Sequence, residues 1–398
     1  MKNVAILVQN LHNGGAERMA ANLSIELARY YNVYLFVFDS SNAIYPYGGK
    51  LVDLKVPPLE EASAYVRTSN VMKRIRRLSY LKKKYKIGCT ISHMDGANVV
   101  NILSRRGDKV ICVYHSMPSM CESGSFVNKS LHRFIGNGAD KYVCVSRMAA
   151  ADMAASFGVK KKKLQCIYNF ADLEKTKSLR MEELPSEAAG FYSRHKKILI
   201  TVGRLTHMKA QDRLIRVLQD LRANGKNVGL VILGEGDERQ ALEELASDLG
   251  LRGNIYMPGE VGNPFPYMAA ASVFALVSDF EGLPMVLIEA AACGLPIVSV
   301  DIPSGPREVL APDTDIYKKT EGDIEYAKYG LLVPSCAKEE RRGGLSPKEK
   351  LLEEGISRLM FDEVFRQKYL SLAEECVERF SAEKIIGQWR ELIEEDKK

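Results

Sequence analysis

The chain has 398 residues, 46% of them hydrophobic, and carries a formal net charge of +6. That length is too great for a single hydrophobic core and points to two domains. The eight cysteines form no C-x-x-C pair and lie scattered, often within apolar segments, which excludes a disulfide framework or a zinc site and reads as reduced cytosolic thiols.

The opening Met1-Lys2-Asn3 runs straight into an apolar strand, so no signal peptide is expected. In the first half, strands are expected at Val4–Val8, Val33–Phe38, Cys89–Ser92, Val110–Tyr114, Tyr142–Val145 and Gln165–Tyr168. Helices fill the gaps, notably Ala16–Tyr30, Asn70–Tyr85 and Ala149–Phe157. Such alternation argues for parallel sheets with helices on both faces, where ligands sit beyond the carboxyl ends of strands. Gly14 and Gly15 follow the first strand and precede a helix, as either a phosphate-cradling loop or a tight turn. Val71–Lys86 holds eight Lys or Arg and no acid, with Val71, Ile75, Leu78 and Leu81 on one helical stripe. A basic amphipathic helix suits an anionic membrane surface, each cation contributing about 1 kcal/mol; a solvated helix face is the other reading. Lys160–Lys163 adds a second basic cluster, while the modest net charge and the lack of an aromatic stacking platform argue against nucleic acid. His93 and His115 each end a strand, where a histidine is either structural or set to touch a ligand.

A charged, apolar-poor stretch near Ser178–Arg194 reads as a linker. The alternation resumes at Lys197 with ILITVGR and continues through strands at Val228–Leu233, Ile255–Met257, Val273–Val277, Ile297–Val300 and Gly330–Val333. Arg204 and Lys209, five residues apart at a strand exit, can converge on one diphosphate or stand as solvated cations. Gly234 and Gly236 end the next strand, either admitting a flat ligand close to the backbone or making a plain turn. The longest uncharged run, Val261–Ser278, carries Gly262, Pro264 and Pro266 and cannot be a spanning helix.

DFEGLPMVLIEAAACGLP, Asp279–Pro296, is the most informative stretch. Pro284 sits where a helix loses no hydrogen bond, and Gly294 suits the left-handed exit. The amides that open such a helix can bind an anion, most simply a phosphate. Glu281 and Glu289 lie eight residues apart, roughly 12 Å along a helix, too far for the shared proton work of glycosidase pairs. Two carboxylates flanking a phosphate suggest sugar hydroxyls, hence a nucleotide-sugar; a capping Glu281 with a solvated Glu289 is the plainer reading. Lys338–Lys350 reads as a polar mobile loop, and Ala382–Glu395 as a helix with Ile385, Ile386, Trp389 and Leu392 on one stripe.

The E-x7-E pattern in EGLPMVLIEA resembles the retaining glycosyltransferases of the GT-B fold, family four. GGAER (Gly14–Arg18), VYHSMPS around His115, CVSRMAA, IYNF, VGRLTHMK (Val202–Lys209), GEGDER and SGPRE support the resemblance, in the expected order over nearly the whole chain. It implies an α/β protein of two Rossmann-like domains whose parallel sheets face across a cleft. The acceptor domain would span 1–180, rejoined by a C-terminal helix at 382–398, and the nucleotide-sugar domain 190–380. It implies that Arg204 and Lys209 neutralise the leaving nucleoside diphosphate without a metal or other cofactor, and no D-x-D lies between apolar strands to hold magnesium. Ala210 replaces the usual glycine after that lysine. By the same resemblance Glu281 contacts the donor sugar, with the backbone of Gly282 and Leu283 along sugar and phosphate. Glu289 would bind the ribose, Gly14 and Gly15 the donor phosphate, and Gly234 and Gly236 the base or ribose. His115 would lie near the anomeric centre, with Glu17, Arg18 and His93 on the acceptor side. Lys73, Arg74, Arg76, Arg77, Lys82, Lys83 and Lys84 would dock a cytoplasmic protein on the inner face of the bacterial membrane. SGPREVL is similar to the subset that builds capsular, O-antigen and related lipid-linked glycans. The expected reaction moves a hexose or N-acetylhexosamine from a UDP-sugar to a polyprenyl-diphosphate-linked saccharide. The alternatives are a GDP-sugar donor, a GT-B epimerase or hydrolase, and a non-catalytic sugar-nucleotide-binding partner.

Overall fold

The computed structural model describes residues 1–12, 14–57, 63–120, 137–337 and 344–396. The chain forms two compact units, Met1–Asn169 with Ala382–Lys398, and Phe170–Ser381.

In the first unit the strands are β1 (Asn3–Val8), β2 (Asn32–Val37), β3 (Lys50–Asp53), β4 (Cys89–His93), β5 (Lys109–Tyr114), β6 (Lys141–Cys144) and β7 (Leu164–Cys166). They make one parallel sheet in the order β3-β2-β1-β4-β5-β6-β7. Apolar runs such as NVAILV and KVICVY are what strands covered on both faces require, and β4 and β5 are buried throughout. The helices are α1 (Gly15–Leu27), α2 (Ala64–Lys84), α3 (Asp95–Leu103) and α4 (Arg147–Phe157). One core packs Leu78 and Leu81 of α2 against Ala5, Leu7 and Phe36; another packs Met153 and Phe157 of α4 against Val110, Cys112 and Tyr142.

The second unit opens with α5 (Leu173–Leu179) and α6 (Ser186–Arg194). It continues as β8 (Lys197–Val202), α7 (Asp212–Ala223), β9 (Val228–Leu233), α8 (Arg239–Asp248), β10 (Ile255–Gly259), α9 (Phe265–Ala270), β11 (Val273–Leu276) and α10 (Met285–Ala292). Then come β12 (Ile297–Asp301), α11 (Pro306–Leu310), β13 (Glu325–Tyr326), β14 (Leu331–Pro334), α12 (Pro347–Phe361), α13 (Glu363–Ser371) and α14 (Ala373–Glu378). The sheet runs β10-β9-β8-β11-β12-β14-β13, parallel except for β13. The last helix, α15 (Ala382–Glu394), belongs to the first unit and buries Ile385, Ile386, Trp389, Leu392 and Ile393.

The stretch read as a linker is instead the end of α5 and all of α6. Arg180 donates to the Ala292 carbonyl at 2.9 Å and Tyr192 to the Tyr267 carbonyl at 2.7 Å, fixing both helices to the second unit. Their inward side chains, Ala188 and Phe191, are too few to stand out among charges. The segment read as a mobile loop divides: residues 338–343 lie outside the described residues, while Pro347 opens α12. Ser346 and Glu349 close a capping box there, which satisfies two amides at the helix start. Each sheet reverses its strand order once, between β1 and β4 and between β8 and β11. In doubly wound sheets such switch points open the crevice that holds a ligand.

Candidate functional site

The switch point of the second sheet gathers the loops leaving β8 and β11. Lys209 and Glu281 join them: the Lys209 ammonium stands 2.5 Å from Glu281 Oε1, which also accepts from Ser278 Oγ at 2.7 Å. Both are largely shielded, at 27% and 12% side-chain exposure, so the pair is stronger than a surface ion pair. Beneath it, buried Arg213 of α7 donates to Asp279 Oδ1 at 2.6 Å and to the Val277 and Cys336 carbonyls at 2.8 and 3.0 Å. The Asp279 amide donates to the Met208 carbonyl at 2.8 Å, so the two loops are locked as one piece. Arg204 is exposed at the same strand exit, and its carbonyl accepts from Gln211 at 3.0 Å. Ala210 adopts a left-handed φ of 52°, the conformation a glycine takes without cost.

Gly234 and Gly236 serve this loop. A Cβ on Gly234 would stand 2.1 Å from the Gly203 carbonyl oxygen, and one on Gly236 2.2 Å from that of Leu205. What approaches their backbone is therefore the β8 loop itself, held by Leu205 N–H donating to the Glu235 carbonyl at 2.8 Å. Both positions therefore need glycine for the β8 loop to pack against them. Gly305, φ 89°, packs against Pro284 and Gly282, and Ser304 donates to the Gly282 carbonyl at 2.8 Å. The segment Glu281–Pro284 is thus braced from behind. No side chain caps the start of α10, where Leu283 is buried and Gly282 half-buried; Glu289 is half-buried one turn along that helix. Arg307 of the SGPRE motif is buried and pairs with Asp301 at 2.5 Å and Glu325 at 2.9 Å.

At the first sheet's switch point, the Glu17 carboxylate folds back over Gly14, where a Cβ would collide with its oxygen at 1.9 Å. Glu17 therefore stabilises the start of α1, beside the helix dipole, while Gly15 and Arg18 are exposed. The two histidines, weighed separately in the sequence, meet: His93 Nδ1 and His115 Nε2 are 2.9 Å apart, with the rings edge to edge, centroids 5.2 Å apart and planes 27° apart. Burial, and then the neighbouring His115, holds His93 well below the usual histidine value, and burial lowers His115 to about 4. The pairing was invisible in sequence, but both residues end strands that prove to be adjacent.

The basic helix α2 differs from its sequence reading in three ways. Its apolar stripe packs into the core, so it is not offered to a bilayer. Lys82 is fully buried and pairs with Asp108 at 2.8 Å, so it belongs to no surface. Arg74 turns inward over the Phe38 ring and donates to the Val56 and Pro57 carbonyls. Lys73, Arg76, Arg77, Lys83 and Lys84 remain exposed, beside exposed Met72 and Tyr80. Lys55 joins Lys73, Arg76, Arg77 and Lys84 around a shallow basin of about 710 Å³. Among the described residues no helix is long and apolar enough to cross a membrane.

The family model of glycosyl transferases group 1 matches residues 189–328, and that of glycosyltransferase family 4 matches residues 13–175. An uncharacterized glycosyltransferase of Methanocaldococcus jannaschii is 29% identical over 81% of this chain and 83% of its own. A Campylobacter jejuni enzyme, N-acetylgalactosamine-N,N'-diacetylbacillosaminyl-diphospho-undecaprenol 4-alpha-N-acetylgalactosaminyltransferase, is 27% identical over 97% of both chains. Among solved structures, Anabaena HepE in complex with UDP and glucose superposes with a TM-score of 0.74 at 17% identity, covering 99% of both chains. Sucrose-phosphate synthase of Thermosynechococcus elongatus gives 0.76 at 18% identity, covering 98% of each.

Proposed function

Because this chain belongs to the GT-B glycosyltransferases, one half matching group 1 and the other family 4, we propose that it transfers a hexose or N-acetylhexosamine from a UDP-sugar to a polyprenyl-diphosphate-linked saccharide, with retention and without a metal. The observation that carries this reading is the Lys209–Glu281 bridge across the β8 and β11 exits, a cation and a carboxylate held together at a switch point. Glu281 holds the Lys209 ammonium at the place where an anionic ligand would draw it. With donor bound, Lys209 and Arg204 take the diphosphate, the first amides of α10 add their partial charge, and Glu281 turns to the sugar hydroxyls. As the glycosidic bond breaks, these groups stabilise the negative charge gathering on the leaving diphosphate, the largest catalytic contribution available here. The acceptor hydroxyl attacks on the face the diphosphate leaves, and its proton passes to the departing phosphate oxygen. Glu289 holds the ribose.

The UDP preference is supported by the HepE complex, and the lipid-linked acceptor by the Campylobacter relative's undecaprenol substrate. The exposed cations of α2 support a peripheral place on the cytoplasmic face of the membrane, where such acceptors reside. The test is a panel of UDP- and GDP-sugars assayed for binding and slow hydrolysis, with Lys209→Ala as control. One UDP-sugar should bind selectively, and the variant should lose turnover by about 10²–10³. A GDP-sugar preference would replace the donor while keeping the mechanism; release of an epimer or free sugar without any acceptor requirement would favour an epimerase or hydrolase.

A further inference from the structure

We infer that His93 sets the tautomer of His115, holding it as a neutral ring protonated on Nδ1, so that His115 serves the saccharide bound at this end of the sheet as a hydrogen-bond donor and not as a base. The saccharide part of this statement rests on the function proposed above; the tautomer does not.

The argument begins with the single proton in the 2.9 Å contact between His93 Nδ1 and His115 Nε2. Either His93 donates it or His115 does. If His115 donated, a neutral His93 would carry its proton on Nε2. That atom is buried and has no hydrogen-bond partner among the described residues, so it would be an orphan N–H. Orphaned buried N–H groups are rarer in proteins than under-satisfied acceptors. The proton therefore sits on His93 Nδ1, which leaves Nε2 as a bare lone pair and not an unpartnered N–H. His115 Nε2 must then accept, and the proton of the neutral His115 ring moves to Nδ1. Burial keeps both rings neutral, with His115 lowered to about 4.

The surroundings fix the geometry. His93 pairs in register with Val113 on β5, so His115 lies two residues beyond its partner. Ser92 donates to Asn98 Oδ1 at 2.7 Å, and Asn98 Nδ2 donates to the Val113 carbonyl at 3.1 Å. Asn101 reaches the Thr90 carbonyl at 3.1 Å and Ser92 Oγ at 3.0 Å, tying α3 to both strands just ahead of the two rings. Met94, directly after His93, adopts φ 73° and ψ 154°, a conformation that non-glycine residues keep only where the surroundings enforce it. His93 is thus a positioning residue with a fixed ring.

The test is a long-range proton–nitrogen correlation spectrum of the full-length protein labelled with 15N-histidine, assigned with His115→Asn, near pH 7. The expected result is a protonated Nδ1 and a bare Nε2 on His115; a protonated Nε2, or a doubly protonated ring, overturns the inference. His93→Asn, which retains a donor at the same reach, should preserve that pattern and leave kcat within about threefold. His93→Phe keeps an aromatic ring but removes the donor. It should release His115 to protonate on Nε2 and lower kcat roughly tenfold at unchanged KM for the sugar nucleotide, the scale of one lost hydrogen bond. An unchanged spectrum in His93→Phe overturns the inference as well. Should His93→Phe fail to fold, the wild-type spectrum and His93→Asn decide. Should no sugar nucleotide be turned over, the spectra still decide the tautomer, so the two failures are distinguishable.

Discussion

Lys82 and Lys83 are neighbours in a run of three lysines, yet their surroundings are opposite. Lys83 is solvated, whereas Lys82 is sealed against Asp108 and donates to Asn101 Oδ1 at 2.7 Å. Removing one partner of a buried pair strands the other charge, so Lys82→Ala should cost about 3–5 kcal/mol, read as a lower urea midpoint. Lys83→Ala and Lys84→Ala should stay within about 0.5 kcal/mol, as solvated positions do. An unchanged midpoint for Lys82→Ala would sink this account. Burial raises the Asp108 carboxyl, but Lys82, the Arg106 amide and Thr90 together outweigh it and hold the group below its ordinary value. A carboxylate depressed in the folded state contributes stability above its unfolded value and loses it as pH falls through the folded one. Acid melting of the first unit should therefore steepen below about pH 4, and the Asp108→Asn variant should lose that component. The sequence held one signal for this: Lys82 lies four residues after Leu78, on the inward stripe. It held none for Asp108, which enters from a loop. In the second unit, Glu281→Gln removes the carboxylate that occupies Lys209. Turnover should fall about a hundredfold while UDP binds as tightly or a few-fold more tightly, by calorimetry; a large loss of UDP affinity would contradict the proposed exchange of partners.

At the scale of elements, patterning located long buried strands well and short or two-faced elements poorly. Val228–Leu233 matches β9 residue for residue because a parallel strand covered on both faces is a continuous apolar run. The four-residue edge strand β3, with Lys50 exposed and the other three half-buried, and the two-residue β13 carry no such run and were not foreseen. The basic helix shows the same division. Its charge was plain in the sequence, but which cations face outward depends on the sheet it covers. The exposed set forms one face with Tyr80, and the upstream Tyr65 and Val66 of the same helix are also exposed. On anionic vesicles, Lys73→Glu with Arg76→Glu and Arg77→Glu should weaken binding by at least about a hundredfold at low salt, each cation contributing about 1 kcal/mol. The loss should shrink as salt screens the surface, and UDP affinity should not change. Equal binding of variant and wild type in co-sedimentation would remove α2 from any membrane contact. Lys82 is left out of this variant, since reversing it would unfold the unit and imitate the result.

At the scale of the whole molecule, the motifs were legible because the fold brings them to one kind of place. GGAER, His93, VGRL and DFEGLP lie at the carboxyl ends of strands flanking a reversal of order, and His115 follows the strand next to β4. The domain limits were less legible, since α5 and α6 hide their few apolar contacts among charges. The return of the last helix to the first unit was what the family resemblance implied, and the structure adds how it is fastened. Lys2 donates to the Ile393 carbonyl at 2.7 Å, and Lys109 to those of Leu392 and Glu395 at 2.6 and 2.7 Å, satisfying carbonyls that a helix end leaves orphaned. Trp389, the chain's single tryptophan, is buried on that helix, so its fluorescence reports the first unit alone. Ile386→Ala should shift the Trp389 transition in urea by about 2–5 kcal/mol, the cost of emptying a buried isoleucine site. The same variant should bind UDP as wild type does, because Arg204, Lys209 and Glu281 all lie in the second unit. A fluorescence transition that does not move would mean the last helix contributes nothing to the unit it joins. Lost UDP binding with the transition unmoved would instead place nucleotide contacts on residues 382–398.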